Sequence, residues 1–517
     1  MAAAPALAAA LFALIVYACT LRGTFIYDDV WVAQTDPRVA HPSLWGQYWT
    51  KPYMGLAPDK LYRPLNSLSF AVQRVWTGER AWPFHLVNWL LHAAVAAAVA
   101  ELGRRLAGVR VAWVAGLLFA AHPVHVEAVA GLVGRAELLC ALATLLGLCA
   151  FLGKPLSARR IVSIALCCAV AMFSKEQGML FAPLILALVP LRRSRPELAA
   201  APVRQAGLWL TVTLCYMLAG YLLLRESLIG FGWDRRLLMW VMNPMIRSHG
   251  IDRILMPVVL AGRYTVLLVA PHRQSIDYGA HAIGWTVSAS DPYLYLGFFA
   301  ILLWFALLVL SVRYRNWAAL FCLLGFALTY GMTGNIVALI GTIFAERLMY
   351  APSIFFIVLV AMGLARLPRQ VATPVLVALT LTAGVAAFDD ARLWNAPEAL
   401  FAQCVRNQPG SERAYDLLYD FYSTRGNWQR ARQVAHESLG AIPDSDRSYE
   451  MCIWADLQTG GSVADAWRLY NRGLTLCTEF DRLYLVEFSS RIPPLKAAAT
   501  QPARPSTGPA DLRDPSR

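Results

Sequence analysis

Residues 86–105 read Leu86-Val-Asn-Trp-Leu-Leu-His-Ala-Ala-Val-Ala-Ala-Ala-Val-Ala-Glu-Leu-Gly103-Arg104-Arg105. An apolar stretch of this length closed by two arginines has the form of a helix that crosses a bilayer and stops at its basic face. The pattern recurs: apolar segments run over 5–20, 86–103, 111–121, 136–152, 161–173, 179–191, 207–224, 293–312, 317–331, 348–365 and 371–388, eleven in all. Several are shorter than the ~20 residues a span needs and must borrow flanking residues or tilt. With 58% hydrophobic and only 15% charged residues, and a mean hydropathy of +0.47, the chain is too apolar for a set of ordinary soluble domains. It reads as an all-α, polytopic membrane protein. The first segment lacks a basic leader, and Val16-Tyr-Ala-Cys19 is a poor lipoprotein cleavage box, so 5–20 is expected to remain as a helix.

The net charge of +13 does not point to nucleic acid, because the basic residues lie in small groups between apolar segments. Arg104, Arg105 and Arg110, then Lys154, Arg159 and Arg160, then Arg192, Arg193, Arg195 and Arg204, then Arg313 and Arg315, then Arg366 and Arg369 mark every second connection as cytoplasmic. The alternate connections therefore face outward: 21–84, the turns near 122–135, 174–178 and 332–347, a long loop over 225–292, and everything after about 389. The Ala- and Arg-rich composition points to a bacterium with a GC-rich genome. Most of the ten cysteines lie in apolar runs, where a thiol acts as a small hydrophobe, and they form no disulfide framework.

Beyond residue 390 the pattern changes to short helical hairpins. Pro409 and Pro443 close equivalent second helices one tetratricopeptide period apart, and the pairing continues through 446–476. The expected organisation is a membrane domain over 1–390, helical repeats over 391–490 and a Pro-, Ala-, Ser- and Arg-rich tail over 491–517 that reads as disordered.

Chemistry-bearing residues gather in the outward loops. Asp28 and Asp29 stand side by side in Phe25-Ile-Tyr-Asp-Asp-Val30, and paired carboxylates at a membrane face are costly unless used for chemistry or cation binding. Arg63 follows in Tyr62-Arg-Pro-Leu65. His85, Asn88 and His92 share one helix face by their spacing of three and four, so they line either a cavity or a hydrogen-bond network inside the bundle. The second turn carries His122-Pro-Val-His-Val-Glu127 and Gly134-Arg-Ala-Glu137. His-x-x-His with a glutamate invites a metal site, but Pro123 breaks the helix and no third ligand has diagnostic spacing. Lys175 and Glu176, then Glu346 and Arg347, repeat the theme of a cation beside an anion. Loops that bring cations for a phosphate together with carboxylates for proton removal describe a glycosyl or phosphoryl transfer site.

Taken in order, Phe-Ile-Tyr-Asp-Asp-Val, Tyr-Arg-Pro-Leu, Phe-His-Leu-Val-Asn-x-x-x-His, His-Pro-Val-His-Val-Glu-Ala-Val-Ala-Gly-x-x-Gly-Arg-Ala-Glu-Leu-Leu, Ser-Lys-Glu-Gln-Gly and Ala-Glu-Arg-Leu-Met-Tyr-Ala-Pro-Ser closely resemble the transmembrane and tetratricopeptide-repeat-containing protein O-mannosyltransferases of the GT-C superfamily. The resemblance covers roughly residues 20–360. It implies a GT-C membrane domain with a repeat domain behind it, a polyprenyl-phosphate-linked sugar as donor, inverting transfer to a protein hydroxyl, and no bound nucleotide. On that basis Asp28 or Asp29 is the catalytic base, with Asp28 the first choice. Arg63, Arg135, Lys175 and Arg347 would meet the donor phosphate. His85, Asn88, His92, Glu137, Glu176 and Glu346 complete the donor-binding set, and the repeats would present the acceptor polypeptide. No cofactor is fixed by the resemblance. A divalent cation, magnesium or manganese, stays open, with Asp28, Asp29 and Glu127 as its ligands. The repeat tail is shorter than in the animal members, so the acceptor could instead be a lipid-linked saccharide or envelope polymer. A transporter or scaffold would call for internal symmetry that the sequence does not show.

Overall fold

The computed structural model describes residues 3–53, 61–153, 156–195, 202–230, 240–477 and 479–494. Every regular element among them is helical, with no strand. The expected disorder over 491–517 lies outside the described residues from 495 onward.

Among the described residues six helices are long and apolar enough to cross a membrane: Ala81–Ala107, Leu132–Phe151, Gly207–Ile229, Pro292–Arg313, Glu346–Leu364 and Arg369–Leu393. A seventh span results if Val109–Ala121 and Pro123–Ala130, bent by 55° where Pro123 interrupts the backbone ladder, count as one. Ala4–Val16 and Trp317–Thr333 are shorter apolar helices. The chain is therefore built as a multi-pass membrane protein. Helices also occupy the expected segments 161–173 and 179–191, as Ala158–Ser174 and Phe181–Ala187, but neither reaches the length of a span.

The centre of the bundle is Leu132–Phe151, whose most apolar window is 72% buried, whereas that of Pro292–Arg313 is only 11% buried and faces outward to lipid. Around the centre, small residues set the spacing. A Cβ on Gly116 would collide with Ala100 and Ala9, so Val109–Ala121, Ala81–Ala107 and Ala4–Val16 approach closely along one seam. Trp89 locks this seam by donating its indole N–H to the Leu14 carbonyl at 2.9 Å.

The basic connections collect at one end. Arg105 pairs with Glu101 at 2.6 Å and donates to the Cys149 carbonyl, and Arg195 donates to the Arg105 carbonyl at 2.6 Å. The loops with acidic residues collect at the other end.

One helix was not anticipated. Gly250–Val269 lies inside what the sequence presents as a loop over 225–292, and it packs along Pro292–Arg313 through Gly262 and Gly297, each facing a backbone carbonyl of the opposite helix. Its charged Asp252, Arg253 and Arg263 and its internal Pro257 break the apolar run, which is why hydropathy misses it. Its ends are tied to the acidic end of the bundle: Arg253 bonds the Asn335 carbonyl, and the Leu268 carbonyl meets His122 Nε2 at 2.9 Å.

Pro397–Asn407, Glu412–Ser423, Trp428–Ala441, Asp446–Gln458, Val463–Leu476 and Glu479–Phe488 then form consecutive hairpins. Ser411, Asn427, Ser445 and Ser462 each accept a backbone N–H at a helix start, which closes the first four of the five turns. The apolar faces of the first hairpins, among them Leu400, Phe401, Tyr415 and Leu418, are continuous with the buried core of the bundle, whereas Tyr449, Ile453 and Leu485 form a separate cluster in the last hairpins.

Candidate functional site

The acidic pair sits on a strained turn. Tyr27 adopts φ of 55°, a left-handed conformation that bulky residues avoid unless their surroundings impose it. The turn closes with Asp29 N–H donating to the Ile26 carbonyl at 3.0 Å. The two carboxylates then part company. Asp29 is 1% exposed; its Oδ1 accepts from Val133 N–H at 3.0 Å and its Oδ2 has no hydrogen-bond partner. Burial, assisted by the neighbouring Asp28 charge, pushes the Asp29 carboxyl up to about 7 from its ordinary 3.8. Asp28 remains half-buried, within electrostatic reach of Arg347 and Arg413.

The cation–anion theme resolves into ion pairs between different loops. Arg63, from the first loop, grips Glu176 of the third turn with Nη2 at 2.8 Å and Nε at 3.0 Å from Oε2. Burial raises the Glu176 carboxyl, but the guanidinium outweighs it and holds the group below the usual carboxylate range. Lys175 pairs with Glu137, both almost fully buried. Arg347 donates from its backbone N–H and from Nη1 to the two oxygens of Glu127, at 2.8 and 2.6 Å. Glu137 lies within electrostatic reach of Arg63, Arg347 and Glu127, so the three pairs form one belt. Arg63 and Arg347 keep 14% and 22% of their side chains exposed, which leaves each a face for a ligand.

Other expected ligands are turned into the protein. Arg135 is 1% exposed, donating to Asn88 Oδ1 at 3.0 Å, the Phe84 carbonyl at 3.0 Å and Ser69 Oγ at 3.3 Å, with Phe70 stacked 4.2 Å from its guanidinium carbon. Asn88 uses its amide on the Gly131 and Leu132 carbonyls. His92 Nδ1 meets Tyr350 Oη at 2.9 Å among the rings of Tyr17, Phe119 and His125, and His85 is buried beneath the first loop, facing the Thr24 carbonyl. The stripe of His85, Asn88 and His92 thus belongs to a hydrogen-bond network inside the bundle. Within it Asn88, bonded also to Arg135, holds the turn over 131–135 on which Asp29 rests.

Behind Glu127, a cavity of about 30 Å³ is lined by Glu127, Glu346, Ser275, Gln274, Asp390 and Cys404 among others. Glu346 is 2% exposed and accepts from Tyr278 Oη and from Ser275 N–H. The space suffices for a water, which polar walls would hold. Among the described residues no three His, Cys, Asp or Glu side chains stand together as a metal site. His122 and His125 are both satisfied elsewhere, on the Leu268 carbonyl and on Phe119 and Ser353. Glu127 binds Arg347 through both of its oxygens.

The sequence reading overlooked the contribution of the long loop and of the helical hairpins. Asp277 accepts from Ser411 Oγ at 2.6 Å and from Gly279 N–H at 2.9 Å, and burial nevertheless pushes its carboxyl up. Asn407 donates to the Gln274 carbonyl at 2.7 Å, His281 N–H donates to the Gly410 carbonyl, and Asp444 meets His281 and Arg247. Arg413 lies over the Tyr27 ring, 5.4 Å from its centre. The polar run Ser275-Ile-Asp-Tyr-Gly279 was visible as a signal; Arg413, one of many surface-like arginines, was not.

Compared with known proteins, the chain is 36% identical over 179 residues to "Protein O-mannosyl-transferase TMTC2" of Mus musculus, a match over 32% of this chain and 21% of that protein. It is 40% identical over 154 residues to "Protein O-mannosyl-transferase TMTC1" of Homo sapiens, over 28% and 18% respectively. It is 28% identical over 481 residues to "Protein O-mannosyl-transferase TMTC4" of Homo sapiens, over 80% of this chain and 63% of that one. The chain thus matches about a fifth of the length of the first two relatives and less than two thirds of the third. No protein-family model matches the chain, and no solved structure matches it. In sequence the chain is thus similar to the TMTC protein O-mannosyl-transferases, over about a third of its length at 36–40% identity and over 80% of it at 28%.

Proposed function

We propose that this protein is an integral-membrane glycosyltransferase of GT-C type that moves a hexose, mannose first among the choices, from a polyprenyl-phosphate donor to Ser or Thr hydroxyls of proteins. The relatives' names support transfer to proteins. The observation that carries the chemistry is the half-buried Asp28 carboxylate flanked by the fixed guanidinium of Arg347 at the acidic end of the bundle.

In this reading Asp28 removes the proton of the acceptor hydroxyl as it attacks the anomeric carbon from the face opposite the lipid phosphate, giving inversion. The leaving group is already stabilised as a phosphate, so the protein's task is to balance its growing charge. Arg63 and Arg347 keep exposed faces for it, and Lys175 adds positive field from behind. Glu137, Glu176 and Glu127 hold those cations in place. Arg135 and Asn88 support the turn rather than touch the donor, and His85 and His92 lie buried against the Thr24 carbonyl and Tyr350. The donor chain lies between spans. The two shorter apolar helices, the bent pair, Ala158–Ser174 and Phe181–Ala187 with their flanks bring the span count to about eleven. The Arg-rich end then faces the cytoplasm, and the site with its tetratricopeptide-like repeats faces the periplasm of a bacterial inner membrane.

Purified protein supplied with polyprenyl-phosphate mannose, a small panel of other polyprenyl-phosphate hexoses and a Ser/Thr-rich acceptor tests this. Asp28→Asn should lower transfer on the order of 10²–10⁴-fold, the range of general-base catalysis. Full transfer by that variant sinks the assigned role. Mass spectrometry of envelope material from a deletion strain decides the acceptor: loss of a hexose from lipid or polysaccharide alone replaces the protein acceptor by a saccharide.

A further inference from the structure

The turn that carries Asp28 is held from a distant part of the chain. Tyr27, immediately before it, is one of four non-glycine residues in the left-handed region, and such a conformation persists only where neighbours over-determine it. The neighbour over its ring is Arg413, from the first turn of Glu412–Ser423. That guanidinium is itself fixed. Its Nη1 donates to Asp416 Oδ2 at 2.9 Å, and Asp416 Oδ1 is bound in turn by Arg447 Nε at 2.6 Å. The helix start is pinned to the long loop by Ser411 on Asp277, with Ser411 also accepting Ala414 N–H. Arg413 is therefore a rigid cation, its side chain 35% exposed, whose field reaches Asp28.

We propose that Arg413 is a positioning residue for transfer. It clamps the Tyr27 ring through a cation–π contact and, with Arg347, brackets Asp28 between two guanidinium groups, so that the helical hairpin forms a wall of the site. This deepens the reading above, because it rests on Asp28 acting as the base. The remaining seam between hairpins and loops is made by Asn407, Gly410 and Ser411, so docking does not depend on Arg413. Its planar face is spent on the turn instead. A cation held this way sets where the carboxylate points; misplacing a reacting group by about 1 Å costs on the order of 10²-fold in rate.

The test uses the full chain in detergent or nanodiscs. Arg413→Ala should lower kcat on the order of 10²-fold while KM for a polyprenyl-phosphate hexose stays as in wild type. Arg413→Lys, which keeps the charge and is the milder change for folding, should recover part of the loss. Tyr27→Ala should resemble Arg413→Ala, and the double variant should be no slower than either alone, since both remove one contact. Hydrogen–deuterium exchange supplies a reading independent of turnover: Arg413→Ala should speed exchange of the amides over 26–30. Unchanged kcat, multiplying effects in the double variant, or unchanged exchange over 26–30 each overturn the proposal. Absence of transfer by the wild type from every donor overturns the transferase reading instead, and the exchange result then decides the contact alone.

Discussion

Two neighbouring aspartates with the same side chain are given different environments, and the difference has measurable consequences. Asp29 is sealed under the turn with one oxygen on Val133 N–H, whereas Asp28 stays accessible beside two arginines. An unfolded chain loses the Asp29 proton near 3.8; the folded one keeps it until about 7. Between those values the folded state holds a proton that the unfolded state has lost, so the contribution of this group to stability falls as pH rises through that window and is level above it. Thermal unfolding at about pH 5 and about pH 8 should therefore show a larger drop for wild type than for Asp29→Asn, which cannot ionise. The same variant keeps an oxygen for Val133 and should retain most transfer, in contrast to Asp28→Asn. Arg135 makes the opposite case. With three nitrogens on Asn88, Phe84 and Ser69, its loss in Arg135→Ala leaves buried acceptors bare and should cost about 2–4 kcal/mol of stability, with the remaining folded protein showing a normal KM for donor. The sequence singled out these residues but not which way they face. Spacing of three and four placed His85, Asn88 and His92 on one face correctly; that the face meets the turn over 131–135 instead of a cavity depends on the fold of a segment more than forty positions away.

At the scale of elements, glycine carries the sequence motif that surrounds the site. Gly134 follows a short helix, and a Cβ there would run into the carbonyl of Ala128, a backbone atom that cannot move aside. Gly178 stands in the same relation to Ala171, one turn past Lys175 and Glu176. Gly134→Ala should therefore shift the start of Leu132–Phe151, move the Asp29 contact at Val133 and depress both folded yield and transfer, while Gly46→Ala, where a Cβ has open space, should do neither. Yield by fluorescence-detected size exclusion and transfer rate check both. The apolar segments were legible as helices throughout, since every one of the eleven is helical in at least its central part. Their lengths were not. Pro123 divides one candidate span by a 55° bend, and Gly250–Val269 escaped notice because charge and proline interrupt its apolar run. Hydropathy reads composition along a line, whereas that helix is stabilised by glycine-mediated packing on a neighbour.

For the whole molecule, the decisive contact lies between the membrane domain and the hairpins that follow it. The sequence placed both on one side through an odd number of spans, and helices Pro397–Asn407 and Glu412–Ser423 do abut the acidic loops. The helices expected to present acceptor also contact the loops that carry Tyr27 and Asp277. Gly410 marks the closest point: any side chain there would strike the backbone at His281. Gly410→Ala should leave the spans intact but loosen this seam, giving wild-type expression, faster proteolysis within 391–490 and reduced transfer. Limited proteolysis alongside the transfer assay measures both. The placement of Arg413 over Tyr27 has a further outcome during biosynthesis. The acidic loop leaves the ribosome early, but its clamp emerges only after nearly all the helices have been inserted. On the proposed reading, a chain stalled before residue 413 would carry Asp28 without its clamp and transfer sugar on the order of 10²-fold more slowly than the finished protein.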